Sequence, residues 1–212
     1  MASNPNIVLS IISVTKNDCE GLSRTLRSIS FLNTTLRKET EIVIVDGSQA
    51  CLPATYLAKF ELSDISITYL QGLDRSLYHA MNIGIQNAKG ALLWFLNGGD
   101  MATPEIGTDE FANSVRRLYD ENSAAVYNVT TGSGVLGSRE IKYAVFIHQA
   151  LIYPRSAHDF LGGYVEWPRF TAADFLFMRR LVKSQRVKLV TCDLPIALLD
   201  NPGLSAALRH FY

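Results

Sequence analysis

"LLWFLNGGD", residues 92–100, is the stretch whose reading decides the fold. Leu92 to Leu96 run apolar without polar alternation, the pattern of a strand buried on both faces. The run stops on Asn97-Gly98-Gly99-Asp100. Adjacent glycines let the backbone turn sharply and admit close approach by a ligand. A carboxylate placed there either holds a cation or starts a turn.

Upstream of that strand, apolar runs and amphipathic stretches alternate. Ile7–Val14 reads as a strand, and Asp18–Phe31 as a helix with Leu22, Leu26 and Ile29 on one face. Glu41–Val45 is a second strand, Pro53–Leu62 a helix, and Ile65–Leu70 a third strand. Ser76–Ala88 is a further helix, with Ser76 as N-cap and Gly90 closing it. Strand–helix alternation with short connections implies right-handed crossovers and a mostly parallel sheet flanked by helices. Downstream the pattern is mixed. Pro104–Asp120 and Ala172–Lys183 read as helices, and Ala124–Thr130, Ser138–Phe146, Gln149–Tyr153 and Val187–Cys192 as strands. A Gly-rich turn covers Thr131–Gly137, and Pro202–Phe211 is a short last helix. No repeat or linker separates the halves, so the expectation is an α/β chain whose residues 1–212 form one domain around a shared core.

Composition narrows the function. The 212 residues are 48% apolar, enough for a sizeable core, and 20 basic against 20 acidic side chains leave no net charge. No broad positive field advertises nucleic acid, so recognition is local. Cys19, Cys51 and Cys192 lack C-x-x-C spacing, which argues against a zinc site or disulfide framework and fits a reducing cytoplasm. The first residues lack a basic, cleavable pattern and read as a strand, and no window reaches the roughly 20 apolar residues a membrane span needs.

In open parallel sheets, ligands sit beyond the carboxyl ends of the strands, near the point where strand order reverses. After the first strand come Thr15-Lys16-Asn17-Asp18, and after the second Asp46-Gly47-Ser48. The third is followed by Gln71-Gly72-Leu73-Asp74-Arg75, and the buried strand by Asn97-Gly98-Gly99-Asp100. Each loop alone is ordinary turn chemistry; four at one edge make a cleft. Neither G-x-G-x-x-G nor G-x-x-x-x-G-K-[ST] occurs, so a nucleotide would be held by side chains. Asp46 can accept hydrogen bonds from a base or ribose, and Arg75 can meet a phosphate with its planar fork. The plain alternatives are a turn carboxylate and a solvated arginine. Asp100 suits a divalent cation, Mg²⁺ or Mn²⁺, that bridges diphosphate oxygens and needs only one or two protein carboxylates.

The segment "LDRSLYHAMNIGIQNAKGALLWFLNGGD", residues 73–100, resembles the heart of glycosyltransferase family 2. "LSIISVTKND" and "EIVIVDGSQ" are similar to that family's first two strands, and "HQALIYPRS" (148–156) and "TAADFLFM" (171–178) to later blocks. Those blocks occur in members that build bacterial capsules, O-antigens and exopolysaccharides. The resemblance implies the GT-A fold, with a nucleotide-sugar-binding half (1–100) and an acceptor-binding half (101–212). It implies sugar transfer, with inversion, from a nucleotide sugar such as a UDP-sugar to a hydroxyl of a glycan, with a lipid-linked acceptor as one option.

Position by position, Thr15, Asn17, Asp46, Gly47, Asp74 and Arg75 would meet the nucleotide end of the donor. Tyr78 and Asn82 lie four apart on one helix face and would look onto the donor site, with helix packing as the alternative. Asn97, Gly98 and Gly99 would admit the diphosphate, and Asp100 would hold the metal. Asp174 matches the general base, while His148 and Gln149 would line the sugar or acceptor pocket. The chain departs from the family where its metal motif, usually D-x-D, keeps only the final acid, so weak metal binding or a metal-independent site is expected. His79 stands where an acid is common, Lys16 where an aromatic is frequent, and Pro202 where glycine is usual. Two rival readings remain at this stage: a non-catalytic sugar-nucleotide-binding or scaffold subunit, and a nucleotidyltransferase. The latter normally carries a Gly-rich basic loop that "TKNDCEG" does not resemble. A cytoplasmic location is expected. The terminal "LSAALRHFY" leaves open contact with the inner face of a membrane, a partner chain or the protein's own core.

Overall fold

Four parallel strands anchor one end of the molecule. In the computed structural model, residues 7–49, 54–60, 62–72, 75–132, 134–137, 147–167 and 170–199 are described. Cys51, Asp74, the strand expected at 138–146 and the helix expected at 202–211 lie outside them, as does the segment on which a membrane contact was considered. In chain order come β1 (Leu9–Thr15), α1 (Cys19–Ile29), α2 (Thr34–Arg37), β2 (Thr40–Asp46), α3 (Ala54–Leu57), β3 (Ser66–Gln71), α4 (Leu77–Asn87) and β4 (Leu92–Phe95). There follow β5 (Met101–Ala102), α5 (Asp109–Glu121), β6 (Ala124–Thr131), β7 (Gly134–Leu136), β8 (Leu151–Pro154), α6 (Ala157–Leu161), α7 (Ala173–Ser184) and β9 (Leu189–Leu199).

The fold class is α/β, as expected. The sheet runs β3-β2-β1-β4-β8-β6-β9-β5, with β7 paired to β6. The first four strands are mutually parallel. The chain moves outward from β1 through β2 to β3, then crosses back to lay β4 on the other side of β1. That reversal creates the switch point where ligands sit in such sheets. β8 then turns antiparallel to β4, and the second half alternates, with β6 and β9 parallel.

Burial explains why these residues form these strands. All of β1, β2 and β4 is buried, and β-branched Ile11, Ile12, Ile42, Val43, Ile44 and Val45 suit a pleated strand covered on both faces. Two buried serines in β1 need partners and have them. The Ser10 hydroxyl donates to Glu41 Oε1 at 2.6 Å, and Ser13 to the Leu96 carbonyl at 2.6 Å. α1 starts at Asp18, whose carboxylate accepts the Gly21 N–H at 2.7 Å, and buries Leu22, Leu26 and Ile29.

Several boundaries differ from the expectations, each for a local reason. The helix expected from Pro104 is a 3₁₀ turn, Pro104–Gly107, followed by α5. Thr108 caps α5 by accepting the Phe111 N–H, and Asp109 and Glu110 in the first turn favour a start there. The strand expected from Gln149 starts at Leu151, because His148–Ala150 form a 3₁₀ turn. β9 continues past Cys192 and through Pro195; a register shift against β6 at Tyr127 and Asn128 accommodates the proline. Short α2, α6 and β5 carry too little periodicity to be read from the sequence. α4 ends with Ala88 in extended conformation, so Gly90 is not its cap. Gly90 is instead pressed onto β1, where a Cβ would lie 2.6 Å from the Ser10 backbone nitrogen. Its N–H donates to the Ser10 hydroxyl at 2.8 Å.

Gly90→Ala should therefore lower stability by about 2 kcal/mol, an overpacking penalty against backbone that cannot withdraw. Thermal unfolding followed by circular dichroism checks this, with a fall in Tm of several degrees expected.

Candidate active site

The turn at the end of β4 is held from three sides. The Asn97 N–H donates to Asp100 Oδ2 at 3.1 Å, and the Asp100 N–H to the Asn97 carbonyl at 2.9 Å, closing the turn on itself. The Gln149 amide donates to the same Oδ2 at 2.8 Å. Gly99 has φ of +99°, a conformation that favours glycine. Gly98 sits over β1: its N–H donates to the Val14 carbonyl at 2.9 Å, and a Cβ would fall 2.7 Å from Thr15 Oγ1. Both glycines thus meet local demands, whatever else they admit. Burial holds the Asp100 carboxyl above its usual range, a rise that the bonds from Gln149 and Asn97 oppose without cancelling.

The neighbouring corner is built by Asp46. It is 2% exposed, and its Oδ1 accepts both the backbone N–H, at 2.8 Å, and the hydroxyl of Ser48. Its Oδ2 accepts the Tyr69 hydroxyl at 2.7 Å. The carboxylate is engaged inside the protein, and its visible work is to shape the loop. The Ser48 hydroxyl in turn accepts the Asn17 N–H at 2.7 Å, with Asn17 left-handed at φ 54°. The Gly47 N–H donates to the Thr15 carbonyl at 2.9 Å. Thr15, Asn17, Asp46 and Gly47 are therefore one connected corner, and Thr15 touches Gly98. Arg75 is exposed just before α4, its N–H donating to His79 Nδ1 at 3.1 Å.

α4 carries two anchors one turn apart. The Tyr78 hydroxyl donates to Asp174 Oδ1 at 2.9 Å, across from the first turn of α7. The Phe175 N–H donates to the same oxygen at 2.9 Å, so among the described residues both bonds fall on Oδ1. Asn82 faces the loop before α7, not open space. Its amide donates to the Tyr164 carbonyl at 2.9 Å and to Glu166 Oε1 at 2.6 Å, and its Oδ1 accepts the Tyr164 N–H at 2.8 Å.

His148 is buried, stacked on Phe95 at 4.6 Å between ring centroids, and stands at the head of a hydrogen-bonded chain. Its Nε2 lies 2.8 Å from the Tyr164 hydroxyl, which lies 3.0 Å from the Tyr153 hydroxyl. Tyr153 lies 3.1 Å from His158 Nε2, and His158 Nδ1 lies 2.9 Å from the Gly162 carbonyl. A carbonyl only accepts, so His158 carries its proton on Nδ1 and accepts on Nε2. Every earlier donor then points the same way: Tyr153 to His158, Tyr164 to Tyr153, and His148 Nε2–H to Tyr164. Burial pushes the His148 pKa down to about 4, with His158 adding to the fall and the nearby Asp174 carboxylate opposing it.

These contacts tie the carboxylates together. Gln149 donates to Asp100, and its neighbour His148 is hydrogen-bonded to Tyr164, whose ring centroid lies 6.0 Å from that of Tyr78, the donor to Asp174. Among the described residues no group of three or more His, Cys, Asp or Glu side chains comes close enough together to hold a metal. Among the described residues Asp100 accepts its side-chain bonds on Oδ2, so Oδ1 is the atom that would face a divalent cation held here. Two surface hollows, of about 510 and 570 Å³, lie beside Arg37–Asp64 and beside Arg24–Tyr56 and include none of the expected site residues. Sequence reasoning missed Thr25, Tyr69, Tyr153, His158 and Tyr164, and named Ser48 only as part of the loop after the second strand. Thr25 left a trace as a polar residue on the apolar face of α1.

No family model matches the chain. Two Mycobacterium tuberculosis proteins, from strains CDC 1551 and H37Rv and each described as an uncharacterized glycosyltransferase, are 34% identical over 119 residues. The match takes in 56% of this chain and 42% of theirs, so it spans less than half the length of these curated relatives. The structure of S. aureus TarS 1-349 in complex with UDP-GlcNAc superposes with a TM-score of 0.72 at 15% identity, over 92% of this chain and 58% of that one. The mannosyltransferase PcManGT from Pyrobaculum calidifontis, in complex with GDP-Man and Mn²⁺, superposes at 0.68 with 16% identity, over 95% and 59%. The chain has the fold of these glycosyltransferase structures. Among the described residues no helix is long and apolar enough to cross a membrane.

Between the ordinary histidine pKa of 6.5 and about 4, the unfolded chain binds a proton that buried His148 refuses. Its contribution is therefore complete above pH 6.5 and is lost as pH falls through the folded value, at up to about 1.4 kcal/mol per pH unit. His148→Phe should be less stable at pH 8 yet show a shallower decline toward pH 4. Urea unfolding at a series of pH values measures both.

Proposed function

We propose that this chain is an inverting glycosyltransferase of family 2, with GT-A architecture, that moves a sugar from a nucleotide-sugar donor to a hydroxyl of a glycan. The observation that carries this reading is the chain of contacts through Gln149, His148, Tyr164 and Tyr78 that links Asp100, suited to a diphosphate and cation, to Asp174, suited to proton transfer. The fold shared with UDP-GlcNAc-bound and GDP-Man-bound transferases supports it, as do the curated relatives. A UDP-sugar donor and a growing bacterial surface glycan as acceptor, with a lipid-linked form as one option, complete the proposal.

The acceptor hydroxyl attacks the anomeric carbon from the face opposite the leaving diphosphate. The new C–O bond forms as the bond to the phosphate oxygen breaks, and its electron pair leaves with the nucleoside diphosphate. The hydroxyl proton passes to Asp174. Tyr78 and the Phe175 N–H hold Oδ1, which leaves Oδ2 to take that proton. Base catalysis of this kind contributes about 10²–10⁴-fold. Thr15, Asn17, Gly47 and the loop shaped by Asp46 line the nucleotide end, and exposed Arg75 meets the phosphates. A divalent cation held at Asp100 would supply charge neutralisation for the departing diphosphate. Neutral His148 offers the sugar no charge and keeps one side of the pocket dry.

A single carboxylate at the cation position also suits a subunit that binds nucleotide sugars without turning them over. Donor hydrolysis without acceptor separates the two readings, because a pure binder releases no nucleotide. For the enzyme, Asp174→Asn should lower kcat by about 10²–10⁴-fold while leaving nucleotide affinity within about twofold of wild type. Turnover equal to wild type would remove Asp174 from the chemistry.

A further inference from the structure

The turn that carries Asp100 is bonded to α1 through one side chain. Thr25 is fully buried on the face of α1 that meets the end of β4. Its hydroxyl lies 2.7 Å from the Asp100 carbonyl, 3.1 Å from the Asn97 carbonyl and 3.1 Å from the Gly21 carbonyl, while the Gly99 N–H donates to it at 3.0 Å. A hydroxyl has one proton, so the carbonyls share a single donor, and the shortest contact is with Asp100. Three residues later Ser28 repeats the device: its hydroxyl accepts the Ala102 N–H at 2.9 Å and donates to the Thr25 carbonyl at 2.6 Å. α1 thus holds the backbone of residues 97–102 along its inner face, leaving the Asp100 side chain to be aimed by that backbone and by Gln149.

We propose that Thr25 is a positioning residue for the donor site: its hydroxyl fixes the Gly99–Asp100 backbone so that the Asp100 carboxylate and the Gly98–Gly99 opening meet the diphosphate together. This rests on the function proposed above. Thr25 touches no substrate in this scheme and acts through the turn. A residue serving packing alone would need only the shape of threonine, which valine reproduces, whereas the role assigned here needs the hydroxyl.

The test compares wild type, Thr25→Val and Thr25→Ser by isothermal titration with UDP plus Mn²⁺ and, separately, with uridine, which lacks the diphosphate. Thr25→Val should weaken UDP–Mn²⁺ binding about tenfold while uridine binding stays within about twofold, and Thr25→Ser should recover most of the loss. Hydrogen exchange of the Gly99 amide should accelerate in Thr25→Val and not in Thr25→Ser. Should Thr25→Val fail to fold, Thr25→Cys, which keeps a weak donor in nearly the same volume, takes its place with a smaller loss of the same kind. Wild-type UDP–Mn²⁺ affinity in the folded variant, or equal losses for UDP and uridine, overturns the positioning role. A wild-type protein that binds neither UDP-GlcNAc nor GDP-Man overturns the function itself, a failure recognisable because it needs no variant.

Discussion

The hydrogen bond from the Gln149 amide to Asp100 joins the two halves of the molecule where it matters most. One partner ends the parallel strands β1–β4; the other opens the mixed half that lies beyond them. Trp94 reinforces the junction, its indole N–H donating to the Gln149 carbonyl at 2.8 Å. The Gln149 side chain reaches Asp100 only because residues 148–150 form a 3₁₀ turn ahead of β8, and the Asp100 turn is in place only because α1 holds its backbone. Without that amide, a carboxylate already disfavoured by burial would lose one of the two donors that keep it usable as an anion.

The site is arranged so that its charges are few and each is managed. Among the described residues Asp46 is engaged with Ser48 and Tyr69, Asp100 has one oxygen bonded, and Asp174 has both its bonds on one oxygen. Behind them, His148, Tyr164, Tyr153 and His158 form a one-way chain that ends on the Gly162 carbonyl. Such a network rigidifies a core when every member is satisfied, and leaves no spare proton on its members. These four side chains make a stiff, hydrogen-bonded wall, and under the proposed function that wall would help hold the acceptor hydroxyl beside Asp174.

Much of the parallel half was legible because its signals are local. Leu92–Leu96 and Ile42–Val45 are buried and read as unbroken apolar runs, and Ser76 announces its helix as a cap. The convergence of Asn97–Asp100, Thr15–Asn17 and Asp46–Gly47 also followed, since parallel strands must end at one edge. What escaped depends on contacts far apart in sequence. Nothing local to Asn82 reveals that it clasps Tyr164, and nothing local to Gly90 reveals its approach to Ser10. For Asp46 the sequence left both a nucleotide acceptor and a turn carboxylate open, because nothing local shows that Tyr69, on the next strand, donates to it.

The central claim is that one cleft at the β1–β4 edge receives a cation and a diphosphate beside Asp100. Paramagnetic broadening of backbone amide signals by Mn²⁺ in the presence of UDP locates such a cation directly. Broadening should be strongest at Gly98, Gly99 and Asp100, extend to Thr15 and Gly47, and spare α5. Broadening centred elsewhere, or amide signals unchanged under saturating UDP and Mn²⁺, would contradict the account.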